Sequence, residues 1–95
     1  MNIYISGSLV TSSAEFRNRA GALTDPTTVT CKYRAGIGSV QNPTPVHDGL
    51  GMYHVDIDTT GWSGPDIQTW VTQWQGTGAV VAIEDDWFGV KAPAL

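Results

Sequence analysis

The segment TTVTCKYR at positions 27–34 alternates between polar and apolar side chains from Thr28 onward. Val29, Cys31 and Tyr33 fall on one face of an extended chain, and threonine and basic residues fall on the other. Successive side chains of a β-strand point to opposite faces of the sheet. The pattern therefore predicts a strand of an antiparallel sheet that has one buried and one solvated face.

Three further segments show the same period of two. MYHVDID at 52–58, IQTWVTQWQ at 67–75 and the segment 79–90 each predict a strand, and the last is expected to contain a bulge near Asp85 and Asp86. The inward-facing side chains of these strands predict a core of Val29, Cys31, Tyr33, Tyr53, Val55, Ile57, Trp70, Trp74, Phe88 and Val90.

The segments between these strands are rich in glycine and proline. GIGSVQNPTP at 36–45 predicts a loop with room for one short edge strand, and TTGWSGPD at 59–66 predicts a turn-rich corner. The stretch 8–19 fits either one bent strand or two short ones. Six to eight strands at roughly ten-residue spacing predict a sandwich. Residues 1–95 form its single domain, with loose ends near 1–7 and 91–95.

Composition and charge narrow the class of protein. The 95 residues include 11 Thr, 9 Val and 6 Ile but only 4 Leu, which favours strands over helices. The net charge of −4, with only five Lys and Arg, argues against nucleic-acid binding and against an anionic membrane surface. The single Cys31 excludes an internal disulfide and a cysteine-rich zinc module. With no visible signal peptide or membrane span, we expect a soluble protein in a reducing compartment.

Three motifs follow one another along the chain. They are LTDPTTVTCKYR at 23–34, DGLGMYHVDID at 48–58 and TWVTQWQGTGAVVAIEDDWFGV at 69–90. Together they resemble a small family from tailed bacteriophages and prophages, whose patterns read TDPTTVTLTV, GxYxxDI and TWxxxWxGTGxxxAxExxxFxV. The matching residues are 24–30, Gly51, Tyr53, Asp56, Ile57, Thr69, Trp70, Trp74, Gly76, Thr77, Gly78, Ala82, Glu84, Phe88 and Val90. The loop at 36–45 departs from the family, being shorter and richer in Gly and Pro.

The resemblance implies an all-β, immunoglobulin-like sandwich of about seven antiparallel strands that serves as a virion structural protein. It implies a head decoration or head–tail component, made in the host bacterial cytoplasm, with no catalytic residues and no cofactor. The implied partners are other virion proteins, namely the major capsid, connector or tail proteins, or a second copy of the chain. A carbohydrate- or cell-surface-binding module displayed on the virion is the alternative that stays open.

Four apolar residues outside the predicted core are candidates for protein contact. Trp62 lies in the 59–66 corner. Trp87 precedes the core residue Phe88 and therefore points to the opposite face of the predicted strand. Ile37 and Val40 lie in the 36–45 loop. Exposed aromatic and aliphatic side chains on loops and sheet faces are typical of binding surfaces, and tryptophan also stacks on sugar rings.

Two polar groupings carry weaker signals. The carboxylates at 84–86 together with Asp56 and Asp58 would bind calcium only if two strands brought them together, and solvated surface charges are the simpler interpretation. His47 and His54 beside Asp48 and Asp56 have a spacing that fits no zinc pattern. The sequence therefore predicts no metal site and no enzyme.

Overall fold

Seven strands and no helix make up the part of the chain that the structure describes. The computed structural model describes residues 2–78 and 82–94, and the side chains of these residues except 82 and 83. The strands are β1 (Asn2–Ile5), β2 (Leu9–Glu15), β3 (Thr28–Ala35), β4 (Val46–Gly49), β5 (Met52–Asp58), β6 (Gln68–Thr77) and β7 (Ala82–Lys91). Within those limits the fold is all-β, and no helix suited to crossing a membrane is found.

The strands form two sheets. One has four strands in the order β1-β7-β6-β3, in which β1 runs parallel to β7 and the other pairs are antiparallel. The second has three antiparallel strands in the order β2-β5-β4. Consecutive strands therefore often belong to different sheets, and the chain crosses between the sheets repeatedly.

Buried side chains from both sheets pack into one core, which makes the fold sandwich-like. The buried members of this cluster are Val10, Ala14, Phe16, Cys31, Val55, Ile57, Trp70, Trp74, Phe88 and Val90. Seven of the ten predicted core residues are among them, and the other three, Val29, Tyr33 and Tyr53, are partly buried against the cluster. Burial raises the pKa of the Cys31 thiol to about 11, because the thiolate loses its hydration there.

The N-terminal segment is more ordered than the sequence predicts. Residues 2–5 form β1 and pair with β7, whereas the sequence predicts a loose end over 1–7. The Tyr4 ring packs edge-on against Phe88 with ring centres 5.7 Å apart, and this contact fixes β1 on the edge of the four-stranded sheet. At the other end β7 continues to Lys91, and residues 92–94 have no regular structure.

The predicted bulge near Asp85 and Asp86 is wrong. The register of β6 with β7 runs without a shift from Gln68 opposite Val90 to Gly76 opposite Ala82. The irregularity lies instead in β4, where the pairing with β5 shifts between His47 and Gly49. The carboxylates suggested a bulge because they interrupt the apolar alternation, yet their side chains are exposed and need no break in the ladder.

Candidate interaction surface

The outer face, defined here as the side of the four-stranded sheet that points away from the core, carries the candidate site. Trp70, Thr72 and Trp74 of β6 point into the core, so the residues between them, Val71 and Gln73, point outward. An open groove of about 280 Å³ lies on this face and is lined by Lys32, Tyr33, Arg34, Val40, Val71, Gln73, Asp85 and Trp87.

The register of the three strands β3, β6 and β7 places these side chains in two rows across the sheet. Arg34 pairs with Val71, which pairs with Trp87. One step along the strands, Lys32 pairs with Gln73, which pairs with Asp85. The first row is cationic, aliphatic and aromatic in turn, and the second row is cationic, amide and acidic.

The apolar part of the groove is exposed to solvent. Trp87 is 53% exposed and Val40 is 49% exposed. Backbone hydrogen bonds in both directions between Tyr33 and Gln41, of 3.0 and 2.7 Å, hold the 36–45 loop beside β3, and this brings Val40 to the groove. Exposed aromatic and aliphatic side chains that line one groove are typical of contact surfaces, since covering them with a partner removes apolar area from water.

The charged side chains of the groove form few polar contacts with other described residues. Gln73 Nε2 donates a hydrogen bond of 3.1 Å to Asp85 Oδ1. The ion pairs found among the described residues do not involve Lys32, Arg34 or Asp85. Their charges are therefore available to a molecule that binds on the outer face.

The other two contact candidates lie away from the groove. Ile37 is fully exposed in the turn that follows β3, where Gly38 N–H donates to the carbonyl of Ala35. Trp62 is placed differently from the exposed contact residue that the sequence predicts. It is partly buried against the core, and its indole Nε1–H donates a hydrogen bond of 2.8 Å to the carbonyl of Asp66.

A hydrogen-bond network explains why Trp62 turns inward. Its backbone N–H donates to Ser6 Oγ at 3.1 Å, and Ser6 Oγ–H in turn donates to the carbonyl of Thr59 at 2.9 Å. The hydroxyl of the buried Thr59 donates to the carbonyl of Ser8 at 2.6 Å. These bonds fold the 59–66 corner over the β1–β2 connection, so that the indole covers the end of the core.

The two histidines have carboxylate neighbours near the three-stranded sheet. His54 Nδ1 lies 2.7 Å from both carboxylate oxygens of Asp48, and its Nε2 lies 3.9 Å from Asp56 Oδ2. His47 Nε2 lies 3.0 Å from Asp25 Oδ1, and the His47 ring stacks on Tyr53. In the described part of the chain no three His, Cys, Asp or Glu side chains are arranged to hold a metal ion.

Asp25 joins three segments of the chain. Besides its contact with His47, its Oδ1 accepts the backbone N–H of Gly51 at 2.7 Å. The Gly51 hydrogen bond, with a smaller effect of His47, lowers the pKa of Asp25. Burial, with a smaller effect of the Asp25 charge, raises the pKa of Tyr53. This arrangement stabilises the β4–β5 turn against the 16–26 segment and needs no ligand.

The carboxylates considered for calcium are not brought together. Asp56 and Asp58 point to solvent from β5 of the three-stranded sheet, whereas Glu84, Asp85 and Asp86 belong to β7 of the other sheet. Asp86 Oδ1 accepts the N–H of Trp87, and the hydroxyl and backbone N–H of Thr60, in that order, lower the pKa of Asp58. Both groups thus have local structural partners.

Of the residues that line the groove, the sequence marked only Val40 and Trp87 as contact candidates. Two strands supply four more groove residues, and these point away from the core residues next to them. They are Lys32 and Arg34 of β3 and Val71 and Gln73 of β6. The alternation already predicts the outward direction of Lys32 and Arg34, and the same period of two gives that of Val71 and Gln73. Their meeting in one groove could not be predicted, because it depends on which strands are neighbours.

Comparison of the chain with protein-family models, with characterised proteins and with solved structures gives no match. The geometry of the outer face and the motif resemblance are thus the two bases for a functional proposal.

Proposed function

We propose that the chain is a non-enzymatic, immunoglobulin-like structural domain of a bacteriophage virion, at the head surface or the head–tail region. In this role it binds other virion proteins through the outer face. The observation that carries the binding role is that the exposed Trp87 and Val40 line one groove, whose charged residues lack ion-pair partners among the described residues. The virion location follows from the motif resemblance.

The strand order supports the immunoglobulin-like part of the proposal. Immunoglobulin domains place their second, fifth and fourth strands in one sheet and their third, sixth and seventh in the other. Here β2-β5-β4 and β7-β6-β3 have the same order. The first strand differs, since β1 pairs in parallel with β7 instead of joining β2. Such a scaffold presents a sheet face rigidly, and many copies on a particle would make weak contacts effective together.

Cosedimentation tests the virion role. The purified chain is mixed with phage heads, tails or whole particles that lack it, and the bound fraction is measured after centrifugation. We expect saturable binding, and we expect Trp87→Ala to weaken it about tenfold or more, as for an aromatic residue at the centre of an interface. The matched control is Leu9→Ala, which removes a 65% exposed side chain from the other sheet.

Two results would contradict the proposal. Failure of the wild-type chain to bind any virion part would remove the virion role. Equal binding by Trp87→Ala, Leu9→Ala and wild type would remove the outer face as the contact surface. Circular dichroism and unfolding curves of each variant show whether a loss of binding comes from a loss of folding.

A second candidate function is carbohydrate binding by the same groove. Trp87 lies on β7 one step from Asp85, and Gln73 and Lys32 lie in the same row as Asp85. An aromatic ring with hydrogen-bonding side chains on one side is suited to a sugar. Saturable quenching of tryptophan fluorescence by a sugar, lost in Trp87→Ala but kept in Leu9→Ala, would favour this function. Its absence across a panel of bacterial-surface sugars would favour protein partners.

A further inference from the structure

We infer that the outer face is self-complementary and binds a second copy of the chain about a two-fold axis that runs along β6. The inference rests on the proposed function, in which this face is a protein-contact surface. It adds the identity of one partner, the orientation of the two copies and the residues that meet. Because the dimer covers Trp87, the second copy and another virion protein bind the outer face in competition.

The chemistry of the outer face changes from one strand to the next. The residues of β3 that line the groove from this face, Lys32 and Arg34, are cationic. Those of β6, Val71 and Gln73, are uncharged. On β7 the corresponding positions are the acidic Asp85 and the aromatic Trp87. The face therefore has a cationic side and an acidic, aromatic side, with an uncharged strand between them.

A two-fold axis along β6 exchanges these two sides without moving any residue along the strand direction. Lys32 then lies opposite Asp85 of the second copy, because both pair with Gln73. Arg34 lies opposite Trp87 of the second copy, because both pair with Val71. Symmetry repeats each contact, giving two ion pairs and two cation–π contacts.

The centre of this interface is uncharged. Val71 meets Val71 of the second copy, and Gln73 meets Gln73, whose amide can both donate and accept. The Gln41 segment beside β3 lies opposite β1 of the second copy, which brings the exposed Val40 and Ile3 to the same side of the interface. Sheets that pack face to face lie about 10 Å apart, a separation that Lys, Arg and Trp side chains can span.

The charges also disfavour a face-to-face arrangement in which the two-fold axis runs across the strands. A two-fold axis across the strands would place β3 over β3, so that Lys32 and Arg34 of both copies face each other. Like charges opposite one another in an interface cost several kcal/mol and act against that orientation. Only the axis along β6 pairs each cation with the acidic or aromatic residue that suits it.

The contact area sets the expected strength. The outer face has only four strands, and stable interfaces bury about 800 Å² per partner. We therefore expect a reversible equilibrium between monomer and dimer that depends on protein concentration. Dimerisation should weaken as added salt screens the ion pairs.

Charge exchange between Lys32 and Asp85 tests the inference by sedimentation equilibrium over a wide concentration range. K32D puts two carboxylates opposite each other and D85K puts two ammonium groups opposite each other. We therefore expect the dissociation constant of the dimer to rise about tenfold or more in each variant. The double variant K32D/D85K restores both pairs and keeps the net charge of −4. We expect it to dimerise as the wild type does.

A mixture of the two single variants is the most discriminating sample. Each K32D copy carries two carboxylates at the paired positions and each D85K copy carries two ammonium groups, so a heterodimer regains both ion pairs. We expect the mixture to dimerise as strongly as the wild type, although each variant alone dimerises much more weakly. Arg19→Asp is the control, because it makes the same change in charge as K32D at an exposed loop position. It is expected to leave dimerisation unchanged.

Several outcomes would overturn the inference. They are a wild-type chain that stays monomeric at all concentrations, a dimer that ignores both single changes, or folded single variants whose mixture does not associate. If this test fails but Trp87→Ala still abolishes virion binding, the proposed function stands without the dimer. If the dimer behaves as expected and no virion part binds the chain, the dimer stands and the proposed function fails.

Discussion

The indole Nε1–H of Trp74 donates a hydrogen bond of 3.0 Å to Ser12 Oγ and thereby joins the two sheets through their shared core. Trp74 lies on β6 of the four-stranded sheet and is only 3% exposed, whereas Ser12 lies on β2 of the three-stranded sheet. A buried N–H that loses its partner costs more than the hydrogen bond contributes, because the group is no longer hydrated. Ser12 is therefore the polar residue that permits a tryptophan at this position.

Ser12→Ala should lower the free energy of unfolding by about 1–3 kcal/mol, because it leaves the Trp74 indole N–H without a partner. Urea unfolding with an unchanged m-value is the measurement. Ser13→Ala, on the exposed side of the same strand, is the control and should change stability by less than about 0.5 kcal/mol. If both variants lose the same small amount, the hydrogen bond to Ser12 does not stabilise the core.

Truncation of Trp62 should lower the free energy of unfolding much more than truncation of Trp87. Trp62 packs against the core and has a partner for its indole N–H, so Trp62→Ala should cost about 2–3 kcal/mol, less than for a fully buried tryptophan. Trp87 is more than half exposed, so Trp87→Ala should cost less than about 0.5 kcal/mol. Thermal and urea unfolding of both variants check this. If Trp62→Ala is as stable as the wild type, Trp62 does not pack in the core and is again a candidate for partner contact.

Acid should destabilise the protein partly through Asp25. Because its pKa is lowered in the folded state, chiefly by the Gly51 N–H, its contribution to stability is complete above the ordinary pKa of 3.8 and is lost as pH falls below that value. Asp25→Asn should flatten the dependence of unfolding free energy on pH in this range. The lowered pKa of Asp58, due to Thr60, should leave a residual dependence.

The control for the acid experiment is a comparison at neutral pH. Asp25→Asn should already be less stable there, because an amide oxygen accepts the Gly51 N–H more weakly than a carboxylate does. Identical pH profiles for wild type and Asp25→Asn would show that the Asp25 contacts do not differ in strength between the charged and neutral forms.

Gly51 should tolerate substitution far less than Gly7. Both have a positive φ, of +70° at Gly51 and +99° at Gly7, so alanine at either position costs about 1–3 kcal/mol of backbone strain. At Gly51 a Cβ would also lie 2.6 Å from the carbonyl oxygen of Phe16 and 2.8 Å from the N of Thr24, whereas at Gly7 it would meet nothing within 4 Å. Gly51→Ala should therefore lose clearly more stability in urea unfolding. Equal losses would mean that the backbone at 16–24 moves aside easily.

The sequence determined the local character of the chain. Alternation in 28–34, 52–58 and 67–75 depends only on the geometry of an extended backbone, in which neighbouring side chains point to opposite faces. The all-β class and the inward position of Cys31, Ile57 and Trp74 could therefore be read without a structure.

Only the tertiary structure decided which strands are neighbours and what their outward residues form together. The sequence predicted a loose end at 1–7 because chain termini are usually poorly ordered, yet residues 2–5 pair with β7 as β1. It predicted an exposed Trp62 because a corner rich in glycine looks solvated, yet hydrogen bonds through Ser6 turn it inward. The meeting of Lys32, Asp85, Val40 and Trp87 in one groove depends on the β3-β6-β7 order and register, which contacts distant in sequence set and no local pattern encodes.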